Sequence, residues 1–235
     1  MYLWDLQAGS LIQTLPLGND IPTALAFHPQ GLFLAVAPYD DDIQLWRLSD
    51  GSVQTLFSEE YASYDDCASY RSVAFSPDGQ FLAHGSFEAG AVWLWHMPSG
   101  EFVQRLEPEE GRVSNLTFSP DSQLLVYGEG AGHPNDREMR VWDMHTRQVV
   151  RGFSPKGWNA AFRSDGRLLA AGNFSSITVW DVATRNRIQQ LPAHRGRFYC
   201  LTFSPSGRLL VSLGDRKQTV RWWEVESGRE ICRMS

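Results

Sequence analysis

Few side chains of this 235-residue sequence stand where chemistry could be done. The segment GEGAG, residues 128–132, has the glycine density of a phosphate cradle, in which backbone amides bind an anion. Such a cradle needs a strand before it and a helix after it. Here the flanks read as two strands of one hairpin, so GEGAGHPNDRE (128–138) is read as an insertion that lengthens the hairpin. His133 and Asp136 in that insertion, and the run Asp40-Asp41-Asp42, offer nitrogen and oxygen ligands. A cation needs several convergent ligands at defined intervals, and neither segment has such a spacing, so no metal is expected. No P-loop, no Gly-x-Ser-x-Gly elbow and no His-Glu-x-x-His pattern occurs. The expectation is a protein with no catalytic residues and no cofactor.

Composition narrows the class further. The net charge of −6 and pI near 5.5 argue against a general nucleic-acid binder, which carries a basic excess. Hydrophobic residues make up 43% of the chain, enough for a well-buried core. Cys67, Cys200 and Cys232 are far apart and form no C-x-x-C pair, which points to a reducing compartment. The first residues, MYLWDLQAGSLIQTLPLG, have neither a basic start nor a continuous apolar run, and no stretch approaches the ~18 apolar residues of a membrane span. A cytoplasmic location without membrane partners is expected. Two acidic segments, SEEYASYDD (58–66) and EPEE (107–110), read as solvated loops. The first lengthens its connection to residues 57–69, long enough to be a partner-contacting loop.

The elements that hold these residues come from a repeat. FHPQG (27–31), FSPDG (75–79), FSPDS (118–122), FRSDG (162–166) and FSPSG (203–207) follow one another at steps of 48, 43, 44 and 41 residues. Each is followed by a small or apolar run (LFLAVA, FLAHGS, LLVYGE, LLAAGN, LLVSLG) and then by a short strand ending in tryptophan: Trp46, Trp95, Trp142, Trp180 and Trp223. Trp4 in YLWDL opens the series. In the tetrapeptide, Pro presets φ, Asp bonds its own backbone and Gly tolerates positive φ, which makes a tight turn between two strands. Four short antiparallel strands per unit form a small sheet that cannot bury both faces alone; stacking the sheets around an axis buries them against one another, with tryptophan filling the space between.

The period of about 42 residues, the Phe-Ser-Pro-Asp-Gly turn and the endings WDL, WDM, WDV and WEV resemble the WD-repeat β-propeller family over essentially the whole chain. The resemblance implies an all-β propeller of four-stranded antiparallel blades. The units are a half blade at 1–15 and complete repeats at 21–57, 70–106, 112–153, 157–191 and 197–234, all in one domain at 1–235. Five and a half blades imply an incomplete ring, and the chain is expected to be a fragment of a larger propeller. The family's Trp-centred hydrogen-bond network would survive in part: His194, Ser212 and Trp223 share one repeat, while Asp40 and Asp136 stand six residues before a repeat Trp. No repeat carries the full set, so packing is expected to outweigh the network.

The resemblance also places the starts of the first strands on the face where relatives bind partners. That selects Arg71, Arg112, Lys156, Trp158, Arg197 and Tyr199 as partner-binding candidates, with Tyr39, just before the turn Asp40, on the same face. Arginine and aromatic side chains on a rigid platform are hot-spot material, and cations on an acidic protein favour an acidic peptide or loop. Trp93, where sibling strands carry Gln44, Arg140, Thr178 and Arg221, is expected to fill space between blades. The functional expectation is a non-catalytic scaffold that binds a protein, a peptide or further domains of a longer parent chain, and not nucleic acid. The alternatives are a hydrolase or lyase using carboxylates around the central channel, and a glycan or small-molecule binder stacking on Trp158 and Tyr199.

Overall fold

The computed structural model describes the chain except residues 18–20, 39–42, 57–70, 87–89, 108–112, 130–137, 154, 174, 193, 195–197, 215–218 and 235. The described residues form 22 strands and no helix, so none of them builds a helix able to cross a membrane. The strands make six antiparallel sheets in chain order. The first pairs β1 (Tyr2–Asp5) with β2 (Ser10–Thr14). The second holds β3 (Pro22–Phe27), β4 (Phe33–Pro38), β5 (Ile43–Arg47) and β6 (Val53–Leu56). The third holds β7 (Arg71–Phe75), β8 (Phe81–Ser86), β9 (Ala91–His96) and β10 (Glu101–Leu106). The fourth holds β11 (Ser114–Phe118), β12 (Leu124–Glu129), β13 (Glu138–Asp143) and the two-residue β14 (Gln148–Val149). The fifth holds β15 (Asn159–Phe162), β16 (Leu168–Gly172), β17 (Ser176–Asp181) and β18 (Arg187–Pro192). The sixth holds β19 (Phe198–Phe203), β20 (Leu209–Gly214), β21 (Thr219–Glu224) and β22 (Glu230–Met234). This is the all-β architecture the repeat implies: five four-stranded blades and a half blade.

Each blade begins at its turn. In the third sheet the Ser76 hydroxyl donates to Asp78 Oδ1 at 2.5 Å and accepts from the Phe81 amide at 2.9 Å, while Asp78 Oδ1 also accepts from the Gln80 amide. Gly79 takes the positive φ of 75° that the turn demands. The fourth sheet repeats the bonds through Ser119, Asp121 and Leu124, with Ser122 adopting φ 62° in the glycine's place. These turns also touch across blades. The Asp78 amide donates to Ser122 Oγ at 3.0 Å, the Ser164 hydroxyl donates to the Pro205 carbonyl at 3.3 Å, and buried His28 bonds the Gly79 carbonyl at 3.1 Å through Nε2.

Side chains alternate along each strand, so a sheet presents one apolar face to the preceding blade and one to the following blade. Phe33, Ala35, Ile43 and Leu45 of the second sheet pack against Phe75, Leu82, Trp93 and Trp95 of the third. Ala83, Val92 and Leu94 of the third meet Leu116, Phe118 and Tyr127 of the fourth. The same arrangement continues to Ala170 and Val179 of the fifth sheet against Leu201 and Trp223 of the sixth. The repeat tryptophan always faces the preceding blade. Trp46, Trp95 and Trp223 are buried there, and Trp142 and Trp180 are half-buried. Trp4 departs from the set at 53% exposed, because its outer side carries no sheet among the described residues. Trp93 is buried between blades, between His84 and the Arg105 guanidinium, as a space-filler should be.

Replacing Trp95 with alanine, at 2% exposed, is expected to cost about 3–5 kcal/mol by denaturant unfolding, whereas Trp4→Ala should cost under about 1 kcal/mol. Equal costs would contradict the assigned packing.

Candidate functional site

The meander topology puts the starts of all first strands and the loops between second and third strands at one end of the stack. The proline-containing turns and the turns after tryptophan lie at the other. The second end is built of capped turns. The aspartate of each Trp-Asp pair is a cap: Asp143 Oδ1 accepts the amides of His145 and Thr146, and Asp181 Oδ1 accepts the amide and hydroxyl of Thr184. Asp5 does the same for Gln7 and Ala8. These bonds hold all three carboxyls below the ordinary carboxylate range, the Ala8, Thr146 and Thr184 amides being the largest cause in each case. Asp165 is lowered chiefly by its hydrogen bond from Arg163, with an ion-pair contact of 2.7 Å. It lies beside a cavity of about 590 Å³ with Arg208 and Glu224. A carboxyl held ionised in this way caps a turn; it is unsuited to donating a proton as a general acid.

The first end carries the candidate partner-binding residues. Lys156 is exposed and bridges by its backbone to Glu138 of the preceding blade. Two positions on, Trp158 is half-buried, and its amide donates to the Gly172 carbonyl at 2.8 Å. Gly157 permits that approach, since a Cβ there would stand 2.6 Å from the same carbonyl. Tyr199, second residue of the neighbouring blade's first strand, is 46% exposed, and its carbonyl accepts from Asn159 Nδ2 at 3.1 Å. Lys156, Trp158 and Tyr199 therefore share one end of two adjacent blades, joined by a bond between those blades. Arg71 begins β7 at the same end. Tyr39, Arg112 and Arg197 lie outside the described residues, as do Asp40, Asp136, His133 and most of the acidic and glycine-rich loops. Among the described residues no three His, Cys, Asp or Glu side chains gather as a metal site.

The inner strands β11, β15 and β19 line a groove of about 520 Å³ along the axis, with Asn115, Thr117, Ala161 and Thr202 in its wall. None of the described residues lining it is a carboxylate. The Asn115 side chain accepts from the Ala160 amide at 3.2 Å, one blade on. This pair and the Asn159–Tyr199 bond were not foreseen from the sequence. The signal was there: Asn115 and Asn159 both stand three residues before the repeat phenylalanine.

The tryptophan network is partly retained. His194 Nε2 lies 3.0 Å from Ser212 Oγ, which accepts from the Trp223 indole at 3.1 Å. In two other blades the indole finds a partner on its own strand, two residues back: Thr178 Oγ1 for Trp180 at 3.0 Å and Gln44 Oε1 for Trp46 at 3.3 Å.

The stacked sheets, the tryptophans facing backward and the capped Trp-Asp turns define a β-propeller of Trp-Asp repeats. Residues 61–96, 100–143 and 185–224 match the family described as WD domain, G-beta repeat, and the chain belongs to that family. It is similar to SEC12-like protein 2 of Arabidopsis thaliana, 28% identical over 93% of this chain and 59% of that protein. It is 32% identical to the periodic tryptophan protein 2 homolog of Dictyostelium discoideum over 74% of this chain and 19% of that one. It is also similar to the transcriptional corepressor LEUNIG_HOMOLOG of Arabidopsis thaliana, 24% identical over 89% of this chain and a quarter (25%) of that protein. The chain thus spans less than two thirds of the length of these relatives.

The lowered aspartates set a pH dependence. Their contribution to stability is present above the unfolded carboxyl value near 3.8 and is lost as pH falls through the lower folded values. Thermal melts are expected to lose ground below about pH 4, and Asp143→Ala with Asp181→Ala should flatten that decline. An unchanged slope in the double variant would contradict the capping role.

Proposed function

We propose that this chain is a non-catalytic interaction scaffold that binds a protein or peptide at the end of the stack where the first strands begin. The observation that carries the reading is the placement of Trp158 and Tyr199 at the starts of first strands on adjacent blades, at the same end as exposed Lys156 and joined by the Asn159–Tyr199 bond. Ordered aromatic surface next to a cation is the composition of a binding hot spot. The Lys156 bridge to Glu138, the Trp158 amide's bond to Gly172 and the Asn159 side chain's bond to the Tyr199 carbonyl hold these groups in place, so little is lost in ordering them. Arg71, Arg112 and Arg197 would add cations to the same end, and Tyr39 a further aromatic, favouring an acidic partner segment. The relatives support the class: one is named a transcriptional corepressor. Another relative is named telomerase protein component 1, from Rattus norvegicus. Protein is preferred to nucleic acid here because of the −6 net charge.

The hydrolase alternative draws little support from an axial groove walled by Asn115, Thr117 and Thr202 and from aspartates committed to turns. The proposal is tested by a double variant of two exposed residues, Lys156→Glu with Tyr199→Ala. Affinity for acidic peptides selected on the wild-type chain should fall by about tenfold or more, with an unchanged melting temperature. Retained affinity would remove this end of the stack as the binding surface.

A further inference from the structure

The fourth strand of each complete blade forms its outer rim, with one edge paired to the third strand and the other unpaired among the described residues. Charge sets β18 apart from the other rims. β6 (VQTL) is neutral, β10 holds Glu101 with Arg105, and in β22 Arg233 pairs with Glu230 at 2.9 Å. β14 is only two residues long. In β18 (RIQQLP) the one charged residue is Arg187, which is exposed and in no ion pair among the described residues. It pairs with Trp180, whose ring meets Phe153, so it lies on the side of the sheet turned to the fourth blade. Arg185 crosses the same seam: its Nη1 donates to the Arg151 carbonyl at 3.1 Å. Three exposed arginines therefore stand at one seam. Arg185 holds its place against backbone preference. It adopts φ 59° at the turn position that Gly9, Gly51, Gly100 and Gly228 fill in four other sheets, a left-handed conformation that glycine takes freely and a side chain does not. The aspartates of the two blades' Trp-Asp turns, Asp143 and Asp181, are occupied by the amides of Thr146 and Thr184.

We infer that the outer edge of β18 docks an extended acidic peptide segment as a fifth strand of its blade. Three features of the rim select this occupant. The free edge offers the backbone donors and acceptors of strand addition. A strand laid along it sends alternate side chains to the seam side, where carboxylates would meet Arg187 across the strands, with Arg185 and Arg151 beside it. Ile188, 55% exposed, would be covered by an aliphatic residue between those carboxylates. A nucleic-acid backbone would use the arginines but neither the edge nor Ile188, and the fourth and fifth blades present no exposed aromatic ring for base stacking among the described residues. This surface is separate from the end that bears Lys156, Trp158 and Tyr199, and it does not depend on binding there.

The probe is a synthetic octapeptide of alternating glutamate and valine, added to the full chain. It should slow hydrogen exchange of the β18 amides that point away from β17 by about tenfold, in the wild type and in the Lys156→Glu, Tyr199→Ala chain alike. The same peptide N-methylated at every amide keeps its carboxylates but cannot pair, and should give no protection. Arg187→Glu should weaken binding by about tenfold or more. Arg185→Gly should also weaken it while holding or raising the melting temperature, the pattern of a side chain kept for contact and not for its turn. Exchange at β18 unchanged by saturating peptide would overturn the inference and leave the arginines as guards of an edge. Protection lost in the Lys156→Glu, Tyr199→Ala chain would assign the peptide to the other end, and overturns it too. A uridine oligonucleotide that displaces the peptide at physiological salt would assign the arginines to phosphate, and overturns the inference equally.

Discussion

Everything in this fold depends on one constraint: a four-stranded sheet with two apolar faces and no helix to cover either must be covered by its neighbours. Repetition satisfies it, because the face that each blade turns forward matches the face that the next blade turns back. The match is steric as much as apolar. Bulk sits on the backward face, as Trp95 and Phe75 or Trp223 and Leu201, and small residues sit on the forward face, as Ala35 or Ala170. Tryptophan is the largest side chain buried at these interfaces, and the indole N–H of Trp180, Trp46 and Trp223 is satisfied locally, by Thr178, Gln44 and Ser212.

Turns carry the second requirement, which is that each blade keep the same length. The Ser-x-Asp-Gly turns bond to themselves through Ser76 and Asp78, and to the next blade through Ser122, so turn chemistry also fixes the spacing between blades. The Trp-Asp aspartates close the other turns at the same end. With that end given over to capping, the opposite end is the one we propose for binding. There the connections differ in length and composition from blade to blade, and Lys156, Trp158 and Tyr199 project from strand starts that the stack holds in place.

The sequence made the sheet order legible because each turn announces itself: at least two of proline, aspartate and glycine at fixed offsets from a phenylalanine leave little choice of register. The burial of Trp46, Trp95 and Trp223 followed from the same alignment, as did the space-filling place of Trp93. The exposure of Trp4 was harder to see, since a tryptophan in the repeat position signals burial only if a sheet stands behind it. The hydrogen bonds between blades were invisible for a related reason. Asn115 to Ala160 and Asn159 to Tyr199 join residues 45 and 40 apart in the chain, and only the stacking angle brings them within reach. The role of the Trp-Asp aspartate as a turn cap could have been read from its spacing to Thr146 and Thr184, but the family pattern drew attention to the tryptophan instead.

The measurement that tests the central claim most directly is the stability of Gly172→Leu beside that of Leu213→Ala. The two positions are equivalent in the repeat, but Gly172 lies under the Phe198 ring, while Leu213 lies half-exposed on the last sheet's forward face. Interdigitated sheets predict that Gly172→Leu lowers stability by about 1–3 kcal/mol or more through overpacking, and that Leu213→Ala changes it by less than about 1 kcal/mol. A tolerated leucine at 172, or an equal loss at 213, would contradict the account of sheets locked by small residues on one face and large ones on the next.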